Sequence, residues 1–198
     1  MLKRLFDIVF ATVGLLLLLP LLIVIAIWIK LDSPGPVFFR QQRVGRFGKE
    51  FRIHKFRTMR VNAETSGRLT VGKDSRITRS GHFLRKSKID ELPQLIDVVT
   101  GKMSLVGPRP EVQEFIDCYP DSVRKEVLSV RPGITDRASI EMVDENEILA
   151  NYPDPRQAYI DHILPVKQRY YVEYVRKHGV VTDIKIILDT LLKIIKRN

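Results

Sequence analysis

The chain has 198 residues, enough for one domain with a buried core and an appended segment at most. Lys and Arg outnumber Asp and Glu by 33 to 23, a net charge of +10, so the partners that fit are anionic: phosphates, nucleic acid or a membrane surface. A single cysteine, Cys118, excludes an internal disulfide, and among Phe115, Ile116 and Tyr119 it reads as core filler. The four histidines, His54, His82, His162 and His178, have no metal-ligand spacing, which argues against zinc.

The first element is apolar. From Ile8 to Ile29, 22 residues carry no charge; as a helix they measure roughly 33 Å, enough to cross a bilayer core of about 30 Å. A signal peptide would have a shorter apolar region and a small-residue cleavage site. This run instead ends in Trp28-Ile29-Lys30, an interfacial anchor, and is expected to stay attached. Pro20 removes a backbone hydrogen bond in the middle of it. Lys3 and Arg4 precede the run, and Lys30 to Arg60 holds nine basic residues against Asp32 and Glu50. Basic flanks prefer the cytoplasmic side, and here both flanks are basic. A plain single span and a helix broken at Pro20 that enters and leaves by one face both fit.

After the Pro/Gly turn "LDSPGPVFF", the β-like runs "PVFFRQQ" and "KEFRIHKF" are joined by "RVGRFG", which predicts a hairpin. Residues 61–80 are polar and aperiodic and predict a mobile surface loop. Helical patterning returns over 81–99, followed by a loop and short strand at 100–112, an amphipathic helix over 111–130 and a turn at "VRPGIT" (130–135). Residues 143–151 and 153–178 read as helical. The last stretch, "VVTDIKIILDTLLKIIKRN", is a basic amphipathic helix, packed on the core or laid on a membrane surface. The fold class expected is α/β, mostly helical with a small β-hairpin or sheet.

The densest chemistry is in "HFLRKSKIDELPQLIDVV" (82–99). Pro93 fits only the first turn of a helix, which puts Asp90 at or near the N-cap and Glu91 in the first turn. Acids there are ordinary helix starts. A helix N-terminus is also a phosphate site, and Arg85, Lys86 and Lys88 lie just upstream. "GPRP" (107–110) supplies Arg109 and "RPG" (131–133) supplies Arg131, both on stiff backbone suited to bidentate phosphate recognition. A glycosidase dyad needs facing carboxylates about 5–9.5 Å apart, whereas adjacent residues in a helical turn diverge. One carboxylate attacking while the other holds a metal or proton fits better, and Mg²⁺ asks for only one or two carboxylates beside substrate phosphates.

"KIDELPQLIDVVTGKMSLVGPRP" (88–110), with "FRIHKFRTM" (51–59), "VRPGIT" and the N-terminal "KRLFDIVFA" (3–11), resembles the bacterial sugar transferases. These are the monotopic polyprenyl-phosphate phosphoglycosyl transferases. The match runs from Leu2 to about Thr135, with a weaker echo in "DIKIILDTLLKI" (183–194). The resemblance implies transfer of a sugar 1-phosphate from a UDP-sugar to undecaprenyl phosphate, at the cytoplasmic face of the bacterial inner membrane. By similarity Asp90 is the nucleophile that displaces UMP, and Glu91 helps bind Mg²⁺, with Asp90 the other carboxylate beside the metal. Lys55, Arg85 and Arg109 fall on family positions of the phosphate site, and Arg131 is a further candidate for binding substrate. The family's N-terminal segment is a re-entrant helix-break-helix hairpin, so residues 1–30 are expected in the membrane and 31–198 as the cytoplasmic catalytic domain. The family break is often Ser-Pro; here it is Leu19-Pro20.

An aspartate with a free pKa of about 3.9 is ionised at neutral pH and needs no base to become a nucleophile. The diphosphate's own charge opposes its attack, which Mg²⁺ and fixed arginines must offset. Two departures matter. Where the family commonly has Gly-Trp-Ala-Gln after the "RPGIT" motif, this chain has Asp136-Arg137-Ala138-Ser139. At 169–174 it reads "RYYVEY", where many relatives place an aspartate before paired tyrosines. Sugar identity therefore does not carry over. Two rivals remain at this level. One is a non-enzymatic, membrane-tethered binder of nucleic acid or anionic glycan, supported by the charge and by "RFGKEFRIHKFR"; the favoured reading expects no nucleic acid. The other is a transferase acting in one step without a covalent intermediate.

Overall fold

The computed structural model describes residues 1–63, 72, 74–142 and 144–197. Nine of the twenty residues of the loop expected over 61–80 lie outside the described residues, at 64–71 and 73.

Helix α1 spans Leu2–Asp32 without interruption, with Pro20 inside it. The helix-break-helix hairpin expected from Pro20 is therefore not divided into two helices. Asp7, Ala11, Ile25 and Ile29 are buried, and Leu15, Leu18 and Leu22 pack in line with them. Steps of three and four residues keep these positions on one face for the length of the helix. Ala11, Leu15 and Leu18 lie against Leu95, Val98 and Met103; Ile25 and Ile29 lie against Phe56 and Leu84. The opposite face, including Leu16, Leu17, Val24 and Ile27, is apolar and exposed.

Both ends of α1 are tied to the same body. At its start, Lys3 is paired with Asp183 and donates to the Val106 carbonyl at 3.2 Å. Arg4 donates to the Val98 carbonyl at 2.8 Å. Asp7 accepts from Ser104 Oγ at 2.9 Å and from the Leu105 N–H at 3.1 Å. At its end, Asp32 accepts from the backbone N–H and hydroxyl of Ser80, at 2.9 and 2.7 Å. Arg57 holds Ser33 through the hydroxyl and the carbonyl, at 2.7 and 2.8 Å.

The hairpin forms as two short antiparallel ladders. Strand β1 (Phe38–Phe39) pairs with β4 (Lys55–Phe56), and β2 (Gln42–Val44) pairs with β3 (Glu50–Arg52). Helix α2 (Arg79–Lys86) is capped by Thr78, whose hydroxyl accepts from the Gly81 N–H. The helical stretch expected over 81–99 is in three pieces: α2, a 3-10 turn at Ile89–Gln94, and α3 (Leu95–Val99). The break is at Lys88, which has φ +58°, a left-handed conformation that stops a helix. Strand β5 (Ser104–Val106) runs parallel to β6 (Gly133–Thr135), so "PGIT" is a strand rather than only a turn.

The single helix expected over 111–130 is two, α4 (Gln113–Ile116) and α5 (Asp121–Val127), because Pro120 disfavours helical geometry at Tyr119. Cys118 is exposed, not core filler: Phe115, Ile116 and Tyr119 share the inward face and leave position 118 outside. Short helices α6 (Arg137–Glu141), α7 (Glu145–Ala150) and α8 (Pro155–Ala158) follow. A π-turn at Tyr159–Ile163 leads into α9 (Leu164–Lys177), and α10 (Val180–Arg197) ends the described chain. Helix α10 uses two faces: Ile186 packs with Val106, Ile140 and Tyr174, while Val181, Ile184, Leu188 and Ile195 remain exposed.

Candidate active site

Asp90 and Glu91 lie in the first turn of the 3-10 segment, whose N-cap is Lys88. Neither acid caps it; no side-chain cap bond is made. Both are buried, at 2% and 8% exposure, which is costly for carboxylates unless cations or donors meet them.

Lys55 meets both. Its Nζ lies 2.9 Å from Asp90 Oδ2 and 3.1 Å from Glu91 Oε1. The ladder between β1 and β4 sets its position, and the preceding residue anchors it: the His54 N–H donates to Asp97 Oδ2 at 2.7 Å, and His54 Nδ1 is 2.8 Å from Asp97 Oδ1. Asp97 is fully buried on α3, so one carboxylate ties the hairpin to the helix that follows the acidic turn.

Arg109 clamps Glu91 in bidentate fashion, Nη1 to Oε2 at 3.0 Å and Nη2 to Oε1. The surrounding loop is held on several sides. The Gly107 N–H donates to the Thr135 carbonyl at 3.1 Å, the Gly133 N–H to the Pro108 carbonyl at 3.0 Å, and the Val44 N–H to the Glu111 carbonyl at 2.9 Å. Arg43 donates to the Pro110 carbonyl at 3.0 Å. Glycine is required where β6 begins: a Cβ on Gly133 would come within 2.0 Å of the nitrogen of Gly107, just past the end of β5.

Arg85 donates to Thr58 Oγ1 at 2.9 Å and feels the charges of Asp90 and Glu91; burial nonetheless holds its pKa below the ordinary value. Burial also lowers the Lys88 pKa, and Arg109 and Lys55 add to that against Glu91 and Asp90. For Glu91, burial alone would raise the pKa; the charges of Arg109 and Lys55 outweigh it and hold the group well below the carboxylate range. Glu91 in turn raises the Arg109 pKa well above its usual value.

Lys55, Arg85 and Arg109 thus gather around Asp90 and Glu91, as their motifs imply. Arg131 does not join them: its Nε donates to the Gly101 carbonyl at 2.8 Å, near Arg4. Five residues at or around the site were not assigned to it from the sequence: Thr58, His54, Asp97, Arg43 and Asp136. Asp136, one of the departures noted above, is buried near Arg109, with its pKa pushed up by burial against the hydrogen bonds of Ser139. Behind the loop Glu111 accepts from Tyr159 at 2.7 Å, and Lys167 bonds Tyr159 at 3.1 Å and Glu145 at 2.7 Å. A single Arg or Glu in a strand has no pattern that reveals such partners.

The comparison with known families decides what this arrangement belongs to: residues 1–197 match the family described as bacterial sugar transferase. The chain belongs to the bacterial sugar transferase family. Over 197 residues the chain is 38% identical to the UDP-glucose:undecaprenyl-phosphate glucose-1-phosphate transferase of Xanthomonas campestris pv. campestris, covering 98% of this chain and 38% of the relative. It is 37% identical over 196 residues to the UDP-N-acetylgalactosamine-undecaprenyl-phosphate N-acetylgalactosaminephosphotransferase of Aeromonas hydrophila, covering 98% of this chain and 43% of the relative. The exopolysaccharide production protein PSS of Rhizobium leguminosarum bv. phaseoli is 36% identical over 209 residues, covering 99% and 96%. The chain spans about two fifths of the length of the first two relatives. Their names carry different sugars at nearly equal identity, so resemblance selects no sugar for this chain.

The donor set of the acidic pair fits Mg²⁺ in one way. Asp90 and Glu91 offer hard carboxylate oxygens, and Mg²⁺ readily takes its remaining ligands from phosphates and water. Among the described residues no cluster of three or more His, Cys, Asp or Glu could supply a complete protein cage. The site suits a metal shared with a substrate.

Proposed function

We propose that the protein is a phosphoglycosyl transferase that moves a sugar 1-phosphate from a UDP-sugar to undecaprenyl phosphate. The observation that carries this reading is the buried Asp90–Glu91 pair with Lys55 across both carboxylates and Arg109 on Glu91. A carboxylate nucleophile at neutral pH needs orientation and relief from the substrate's charge, and the surrounding cations supply both.

In this mechanism an Asp90 oxygen attacks the phosphorus that carries the sugar. A new P–O bond forms, the phosphoanhydride bond breaks, and UMP leaves with the bridging oxygen. Lys55 orients Asp90, while Arg85 and Arg109 take the diphosphate oxygens. Mg²⁺, when bound beside Asp90 and Glu91, supplies charge neutralisation on the phosphates. An oxygen of undecaprenyl phosphate then attacks the same phosphorus and returns Asp90 as a free carboxylate.

Residues 1–30 serve as the membrane anchor of a catalytic domain over 31–198 at the cytoplasmic face. Support comes from α1, whose two ends are tied to one body; a straight crossing would carry one end about 45 Å away. The exposed apolar faces of α1 and α10 then lie in the bilayer interface, with chain entering and leaving on one side.

The test incubates purified protein with Mg²⁺, a panel of UDP-sugars and labelled UMP, without lipid acceptor. Label is expected to exchange into one UDP-sugar, with a phosphosugar adduct on Asp90. Lipid-dependent turnover without exchange would establish one-step transfer instead, and absence of any turnover would favour a binding protein.

A further inference from the structure

Glu91 is the expected metal ligand, yet its oxygens are already engaged by side chains of the protein itself. Oε1 is shared between Lys55 and Arg109, and Oε2 accepts from Arg109 at 3.0 Å. Asp90 Oδ2 is taken by the same lysine at 2.9 Å. A divalent cation approaching these carboxylates meets an ammonium and a guanidinium, and both must move before the oxygens are free. Glu91's side chain is 11% exposed, while those of Lys55 and Arg109 are 20% and 30% exposed, so solvent screens that repulsion only in part.

Phosphate changes the balance. Arg109 is held on a loop fixed by Gly107, Gly133 and Arg43, and its planar fork suits a phosphate as well as it suits a carboxylate. A bound diphosphate offers Arg109 and Lys55 an alternative partner and releases Glu91. We propose that Arg109 and Lys55 form an internal counter-ion gate on the acidic pair, so that divalent metal binds together with a phosphate-bearing nucleotide and only weakly to the protein alone. This inference rests on the phosphoglycosyl transferase reading for the identity of the nucleotide, but the gate itself is a property of four side chains. Because coupling is reciprocal, metal tightens nucleotide by the factor that nucleotide tightens metal, which for typical couplings is about 5- to 150-fold.

The test is binding, not turnover. Mn²⁺, an EPR-visible stand-in for Mg²⁺, is titrated into the full chain in detergent, alone and with UMP, correcting for Mn²⁺–UMP in solution. The expected result is weak binding to the wild type alone, tightened at least about 5-fold by UMP, within the usual range of coupling. Arg109→Gln, and independently Lys55→Gln should either variant fold poorly, are expected to bind Mn²⁺ alone more tightly than the wild type. Adding Glu91→Gln removes that gain. Wild-type protein binding Mn²⁺ alone as tightly as both variants would overturn the gate, as would independent binding of Mn²⁺ and UMP. If UMP does not bind at all, the UDP-sugar reading fails while the metal-alone comparison still decides the gate.

Discussion

Two clusters of buried charge in this protein have opposite characters. Around the active site, the carboxylates of Asp90 and Glu91 face four cations, Lys55, Arg85, Lys88 and Arg109. Where α1 meets α10, Asp7 and Asp183 share Lys3, with Arg4 also near Asp7, and all four carboxylate oxygens accept from Ser104, the Leu105 N–H, Tyr174 or Lys3. The second cluster is closed: its acids are satisfied by donors already in place, and it joins the first turns of two helices to strand β5. The first has surplus positive charge beside Asp90, the proposed nucleophile. Surplus of one sign, more than burial itself, separates a site that recruits a ligand from a strut that holds a fold.

The sharpest way to break this distinction is Asp90→Asn, which is expected to lower UMP exchange by about three orders of magnitude or more with the melting temperature preserved. Exchange at wild-type rates would remove Asp90 from the chemistry. Asp183→Ala addresses the other cluster. It leaves Lys3 with only the longer contact to Asp7, at 4.0 Å, and is expected to cost about 3 kcal/mol, the low end for a buried pair because Lys3 is only partly covered. Chemical denaturation measures that cost, and an unchanged KM for UDP-sugar in the folded fraction would keep the cluster structural.

Arg109→Lys keeps the charge but loses the fork, and kcat/KM is expected to fall about 10- to 100-fold. A fall no larger than that of an exposed arginine would mean that geometry at Glu91 is unimportant. The pH dependence is smaller but signed. Glu91 has its folded pKa depressed by Arg109 and Lys55, against burial, so its pairing contributes fully above the free carboxylate value, about 4.3. That contribution disappears as pH falls through the depressed folded value. The stability gap between wild type and Glu91→Gln should therefore be widest at neutral pH and close in acid, as followed by thermal melts. Smallest of all is Tyr171→Phe. The hydroxyl is buried without a hydrogen-bond partner among the described residues, so its loss should change stability by less than about 0.5 kcal/mol.

Motif and local pattern made much of this legible. The hairpin around Gly45 and Gly48 forms, Glu91 lies in a first turn as expected, and Lys55, Arg85 and Arg109 stand around the acidic pair. Pro93, however, lies inside the 3-10 turn instead of opening a helix. The misses share a cause. Strand β6 looks like a turn because three residues cannot establish a period, and its partner β5 lies 29 positions earlier. Arg131 also sits beside a proline but bonds Gly101, since it precedes strand β6 while Arg109 follows strand β5, which puts the two arginines at opposite ends of the parallel pair. Asp90 is not a cap, because Lys88 takes a left-handed conformation and begins the turn two residues earlier.

The residue types and their spacing determined the apolar anchor, the acidic turn and the cations available to it, because these depend on local composition and short-range sterics. Only the tertiary structure decided which cations reach the carboxylates, that Arg109 closes on Glu91 while Arg131 turns away, and that both ends of α1 return to one body. Those outcomes depend on contacts between residues tens to more than a hundred positions apart, such as Lys3 with Asp183 and Lys55 with Glu91, and no local pattern encodes a partner at that distance.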